Sequence, residues 1–334
     1  MSHRGCRILF ASILPLVCVL AACARAAPKP VATLTESDGD VTVIRAADAD
    51  EEDGEEDMDL FEGDAIKTAA GAKVTITFLD NHLIKLSERS SLVLKTVRVN
   101  AATGSLWGQV KLIGGKLFAS FTKLSGSSSG FRVETRTAVA AVKGTTFSVE
   151  DADDASTVSV LEGTVATAGL DAAGRETGAV DVPEGQETSV DLKGRRPGKP
   201  RGFLKEGRRA WVVENLRDVR TSAERHRELK RSGELFRQRR MRNLARASYL
   251  LELQRTDPDA LDAMPPGRRA RLKEFLATHQ RDLTRSRDEV RRYLDQHPEA
   301  REKLQRQSER RMRGRGGERG GRARPDRPRK ARGR

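Results

Sequence analysis

From Val31 to about Leu192 the apolar positions come in short alternating runs. Val41-Thr42-Val43-Ile44 is brief and β-branched, and Lys73 to Phe78 sets Val74, Ile76 and Phe78 against Lys73, Thr75 and Thr77. That period of two marks a strand buried on one face. Leu83–Leu86, Leu92–Val99, Phe131–Thr135, Thr145–Val149 and Val158–Leu161 continue the pattern. Turn-forming residues separate the runs at Asp80-Asn81, Gly114-Gly115, Gly126 to Gly130, Asp151 to Asp154 and Gly163. No helical period is sustained here. The pattern predicts a mainly β domain over 31–192: an antiparallel sandwich, a barrel or a stack of strands.

The pattern changes after Gly194, where Arg-Arg-Pro-Gly-Lys-Pro-Arg reads as a linker over 193–202. An α-helical region over 203–312 is expected next. Trp211, Val212, Leu216, Val219 and Ala223 fall at helical steps, and an Arg/Glu-rich run follows to Arg255. A second stretch places Leu272, Leu276, Leu283, Val290 and Leu294 on one stripe, and Pro298 opens a further short helix to about Arg311. The stripe is thin, so these helices should pack only weakly on each other or on the β domain, or pair with a partner. From Arg313 to Arg334 no apolar side chain larger than Ala or Pro occurs. Such an Arg/Gly tail cannot offset the entropy of ordering and is expected to be disordered.

Charge sharpens this division. Of 334 residues, 33% are charged and 37% are hydrophobic, with a net charge of +14. Residues 195–334 carry 43 basic and 20 acidic side chains, whereas residues 1–194 carry 19 and 28. An acidic half is joined to a strongly basic one.

The first 22 residues have the form of an export signal: Arg4 and Arg7, then an apolar run from Ile8 to Leu20 that is short for a membrane span. Leu20-Ala21-Ala22-Cys23 resembles the lipobox of bacterial lipoproteins. That resemblance implies cleavage before Cys23 and a diacylglycerol anchor on its thiol. Cys6 and Cys18 would leave with the signal, so Cys23 would be the mature chain's one cysteine. Cleavage after Ala24-Arg25-Ala26, giving a secreted protein, is the alternative, and a retained anchor is a third. The expected location is the outer membrane or periplasm.

The β region resembles the FecR domain family, through an ordered series of motifs rather than any single one. Gly63-Asp64-x-Ile66-x-Thr68 is followed by Gly71-Ala72 and Val74-x-Ile76-x-Phe78-x-Asp80. Ser90-Ser91-Leu92-x-Leu94, Gly115-Lys116-Leu117 and Phe131-x-Val133-x-Thr135 come next. Ala141-Val142-Lys143-Gly144-Thr145-x-Phe147-x-Val149 and Leu161-Glu162-Gly163-x-Val165 close the series. Lys143 stands where the family usually has Arg, Asn81 replaces a common Gly, and Asp48 to Asp59 is an acidic insertion. The family is best known as the periplasmic part of regulators that receive a signal from outer-membrane receptors. Its signalling members carry a sigma-factor-contacting segment before a membrane helix. Here an export signal stands at residue 1, so the resemblance implies fold and compartment more than an anti-sigma role. Gly63, Gly71, Gly144 and Gly163 are expected at strand edges with positive φ or a close backbone approach. Thr68, Thr145 and Thr146 are expected to bond local backbone. With Asp64 and Phe147, these motif residues read as fold-forming.

Little else points to chemistry. Gly126-Ser127-Ser128-Ser129-Gly130 satisfies G-x-S-x-G but joins two strands, so it reads as a loop. His3, His82, His226, His279 and His297 lack metal-ligand spacing, and His82 should decorate a hairpin turn. In the run beginning at Asp48, Asp53 and Asp59 stand where a calcium loop needs Gly and Glu, so a solvated loop is expected. No enzyme, cofactor or metal site is expected.

Arg315 and Arg319 open two Arg-Gly-Gly steps, with Arg322 next to the second, a run suited to polyanions, but the tail has no aromatics for base stacking and nucleic acid is not the expected partner. The expected function is a non-catalytic envelope binding or scaffolding protein. It would be held by a lipid anchor, with its basic arm on an envelope protein or on an anionic envelope polymer or lipid. The alternative is a periplasmic ligand-sensing component of a signal-transduction system.

Overall fold

A computed structural model describes residues 29–202 except 79–81, 101, 104, 123–128, 153 and 194–195. Beyond these it describes 211 and 213–219, scattered positions from 221 to 228, 231–257, 259, 264 and 266–313. Cys23, Ser128, Arg315, Arg319 and Arg322 lie outside the described residues.

The alternating runs become two facing sheets that share one strand. In the first sheet the order is β4 (Met58–Leu60), β1 (Ala32–Asp38), β6 (Lys73–Phe78) and β7 (His82–Leu86). The second half of β9 (Ser105–Phe121) follows, then β12 (Thr146–Ala152), β13 (Ala155–Glu162), β16 (Gln186–Asp191) and β17 (Arg201–Gly202). In the second sheet the order is β3 (Glu51–Asp53), β2 (Val41–Ile44), β5 (Ala65–Thr68) and β8 (Ser91–Asn100). The first half of β9 comes next, then β10 (Gly130–Glu134), β11 (Ala138–Val142), β14 (Thr164–Leu170) and β15 (Glu176–Pro183). β9 and β10 pair in parallel, and the other pairs among the described residues are antiparallel.

β9 changes sheets at Gly114-Gly115, read from sequence as a turn between strands. It is a corner inside one strand. Gly115 has φ +94, and a Cβ there would come within 2.3 Å of Ser90 Oγ, so glycine is what lets the chain cross. The inward positions of both sheets form one core. Leu34, Ile76, Ile84, Leu117, Phe147 and Val160 of the first sheet meet Ile66, Leu92, Leu94, Val110, Phe131 and Val165 of the second. Phe131 contacts Phe121 and Phe78 across the layers at centroid distances of 4.5 and 5.4 Å. Each such side chain contributes about 1.5–3 kcal/mol by leaving water.

The expected linker is partly a strand. β17 pairs with β16, and Gly198 N–H donates to Ser189 O at 3.0 Å, so the segment lies along the sheet edge. Edge backbone groups there find partners that a free linker would leave to water. Helical residues at 213–219 then cross the outer face of the first sheet. Val219, Leu216 and Trp211 pack on Leu83, Phe118 and Leu161.

Among the described residues four further helices follow: α1 (Glu234–Thr256), α2 (Pro266–Arg285), α3 (Arg287–Gln296) and α4 (Pro298–Arg313). The expected stripe is divided between two faces of α1. Leu272 and Leu276 pack against Ala247 and Leu250, while Val290 and Leu294 pack with Met241 and Leu244. Leu283 touches both clusters. None of the described helices is long and apolar enough to cross a membrane.

Candidate functional site

The acidic insertion forms the lip where the two sheets begin. β3 and β4 are the outer strands of their sheets, joined by a turn pinned to the β domain. Gly54 N–H donates to Val41 O at 2.8 Å, Asp57 N–H donates to Leu34 O at 2.7 Å, and Ser37 Oγ donates to Gly54 O at 2.6 Å. The lip's carboxylates stand on two short strands and on the turns beside them, where Ala49 and Asp57 take positive φ.

One set, Asp48, Asp50 and Glu52, converges on Arg271 of α2 at 2.7, 2.7 and 2.8 Å. The other set, Glu55, Asp57 and Asp59, meets α1 in reverse order. Glu55 pairs with Arg246 at 3.0 Å, Asp57 with Arg242, and Asp59 with Arg239 at 3.3 Å. Arg239, Arg242 and Arg246 are spaced i, i+3, i+7, so they share one face of α1. Glu56 adds a contact to Arg242 at 3.6 Å, and Arg268 donates to Glu51 O at 3.1 Å.

The solvated loop expected from sequence is therefore corrected. The insertion is covered by the basic helices, because opposite charge at matched spacing outweighs hydration of either row alone. Among the described residues no group of three or more His, Cys, Asp or Glu side chains is disposed to hold a metal.

Beneath the lip, Arg45 links the insertion to the β domain. It donates to Glu52 and to buried Asp64 at 2.9 and 2.8 Å, and to Asp59 O at 2.9 Å. Between hairpin and helices lies a cleft of about 410 Å³, walled by these arginines and carboxylates together with Phe61, Phe275 and Tyr293. The Arg246 guanidinium lies 5.2 Å from the centroid of Phe275.

The carboxyls respond unequally. Burial works upward on Asp48 and Glu52, but Arg271, joined by Arg45 for Glu52, outweighs it and holds both below their ordinary values. Asp50 goes the other way. Burial and the neighbouring Glu52 and Asp48 raise it above its ordinary value despite Arg268 and Arg271. On the other side of the contact, desolvation works downward on Arg271, and Asp48 and Glu52 more than offset that.

The motif residues singled out in the sequence lie in the architecture of the β domain. Asp64 Oδ1 and Oδ2 accept from Ala46 and Phe61 N–H at 3.0 Å each, besides Arg45. Gly63 has φ +90, and a Cβ there would sit 2.6 Å from the Ala46 methyl. Thr68 Oγ1 donates to Ser87 O at 2.6 Å and accepts from Ser90 N–H at 2.9 Å.

Gly144, Thr145 and Gly163 meet at one corner, where both glycines take positive φ. Thr145 Oγ1, expected to bond backbone, is buried without a hydrogen-bond partner among the described residues. Phe147 is fully buried. These positions do not converge on the cleft.

His82 also departs from expectation. It is buried in β7, stacked on Phe121 at 5.8 Å, and burial lowers its pKa. It belongs to a sheet rather than a turn because Phe78 and Phe121 flank it in the ladder.

Sequence reasoning missed the arginine row and its acidic counterpart as one site. The signal was present in two complementary spacings of opposite charge, nearly two hundred residues apart.

Residues 64–166 match the family model described as FecR protein. No curated protein matches the chain. Two crystal structures described as "a putative anti-sigma factor from Parabacteroides distasonis" are similar at 18% and 17% identity. Each alignment covers 44% of this chain, with TM-scores of 0.35 in both cases. The chain spans 63% and 64% of the length of those two chains.

Proposed function

Because residues 64–166 form a FecR domain, we propose that this protein is a non-catalytic component of a signal-transduction system, exported and held at the cell envelope. The observation that carries the reading is the domain itself. The motif residues that define it act as corners, caps and core, which leaves its surface as the working part. A module of that kind acts by binding a protein and passing on a change of state, so a protein partner belongs to the proposal. Signalling is favoured over the scaffolding role expected from sequence because the family whose model matches is best known among regulators. Lipidation of Cys23 would place the β domain at a membrane surface within reach of such a partner. Simple secretion would not.

The experiment is removal of the protein from its host, with transcript profiling. The expected result is altered expression of a defined gene set, restored by the full chain but not by a chain lacking residues 31–192. Unchanged transcription together with an envelope-integrity defect would overturn signalling in favour of scaffolding. The mass of the mature N-terminus tests the anchor: an unmodified chain starting at Ala27 would exclude it.

A further inference from the structure

We propose that the outer face of the second sheet is a binding site for a neutral glycan chain, with the indole of Trp107 as its platform. This goes beyond the protein-binding role above, and neither depends on the other.

The two sheets treat their outer faces differently. On the first, Leu83, Phe118 and Leu161 are covered by Trp211, Leu216 and Val219 of the chain itself. On the second, Leu106, Val110 and Leu112 of β9 point into the core, so Trp107, Gln109 and Lys111 alternate outward. Trp107 stays 39% exposed. It forms the shared wall of two grooves, of about 770 and 220 Å³, whose linings come from the β domain alone.

The register keeps one side of the indole clear. Arg98 of β8 lies beside Trp107 on one flank and Gly130 of β10 on the other. A Cβ on Gly130 would meet only Val142 O, at 3.8 Å, so packing does not demand glycine there. A side chain at that position would instead fill the space next to the ring. Beyond it the sheet stays low, since Ala141 and Ala166 follow Arg132 across the next strands.

The chemistry of the lining names the ligand. A pyranose ring presents a flat C–H face and a rim of hydroxyls that both donate and accept. Trp107 answers the face. For the rim, one groove offers Thr96, Arg98, Asn100 and Ser105, and the other offers Gln109, Arg132, Glu134 and Glu176. Two arginines stand against two glutamates, so the face favours neither a polyanion nor a polycation. Several of these groups are already fixed. Glu134 accepts from Gln109 Nε2 at 2.9 Å and from Lys111 Nζ at 2.7 Å, and Arg132 pairs with Glu176. Order present before binding lowers the cost of binding. A protein partner would call for a wider apolar surface, like the one the first sheet carries, whereas Trp107 is the one large apolar side chain exposed in these grooves.

The test is calorimetric titration of the full chain with cellohexaose and with chitohexaose. At least one should bind, with an affinity that changes less than about twofold between about 0.05 and 0.5 M salt, because the ligand is uncharged. Trp107→Ala should weaken that binding roughly tenfold or more, and Trp107→Phe, which keeps a flat ring, should weaken it less. Gly130→Thr should match Trp107→Ala while leaving the thermal melt unchanged, a result that a purely structural glycine would not give.

Failure of both saccharides to bind the folded chain would overturn the proposal, as would binding that survives Trp107→Ala and Gly130→Thr. Tighter binding of inorganic polyphosphate, lost in Trp107→Ala, would make the face an anion site and overturn it too. Thermal melts separate these outcomes from misfolding, and if Trp107→Ala does not fold, Gly130→Thr carries the test. Because the readout is direct binding, its failure would leave the transcript experiment unaffected, and the reverse also holds.

Discussion

At the scale of single residues, the most consequential group is Asp64, which is 2% exposed and shared between Arg45 and two backbone N–H groups. It joins the start of the FecR motif to the base of the acidic hairpin. Asp64→Ala would take one of two carboxylates from Arg45, which keeps Glu52, and leave two backbone donors unpaired, at a cost of about 2–4 kcal/mol. Urea unfolding followed by far-ultraviolet circular dichroism should show that loss as a lower midpoint at unchanged slope. A shift of less than about 1 kcal/mol would mean that Asp64 is dispensable for the corner. The glycine-aspartate pair was legible in the sequence as fold-forming. Its bond to Arg45 was not, because a contact across nineteen residues depends on how the hairpin returns.

Among the elements, β9 matters most because it belongs to both sheets. Gly115→Ala forces a Cβ against Ser90 at a backbone angle that L side chains avoid. The cost should be at least about 2 kcal/mol, and both sheets should unfold together, with tryptophan fluorescence and circular dichroism giving one coincident transition. Two separated transitions would show that the sheets are independent. The strands themselves were readable from alternation, since one buried face imposes a period of two. Their order was not, because alternation says which side chains face inward and nothing about which strand lies beside which. The helical stripe was readable too. Its division between two faces of α1 was hidden because the residues of α1 that receive it, including Met241, Leu244, Ala247 and Leu250, sit within a run dominated by arginine.

For the whole molecule, the acidic and basic halves seen in the composition act on each other. Their contact should respond to acid with a defined sign. Glu52 and Asp48 have lowered values when docked, so their contribution is complete above the ordinary values of 4.5 and 3.8 and is lost as pH falls through the lower docked values. Asp50, raised by burial, works in the opposite sense: its contribution is present below the ordinary 3.8 and lost as pH rises through the raised value. With two groups against one, and the two bound to Arg271 and Arg45, docking should weaken below about pH 4. Hydrogen exchange in residues 48–60 should then rise before the β core opens, and exchange that stays constant until global unfolding would contradict this.

The central claim is that the arm docks through paired charges at matched spacing, and a charge-reversal cycle tests it most directly. Asp57→Arg and Arg242→Asp are made singly and together, with protection of hairpin amides as the readout. Each single reversal should raise exchange in residues 48–60. The double reversal should restore it by about 1 kcal/mol or more of coupling. Additive effects, or singles that leave exchange unchanged, would contradict the account.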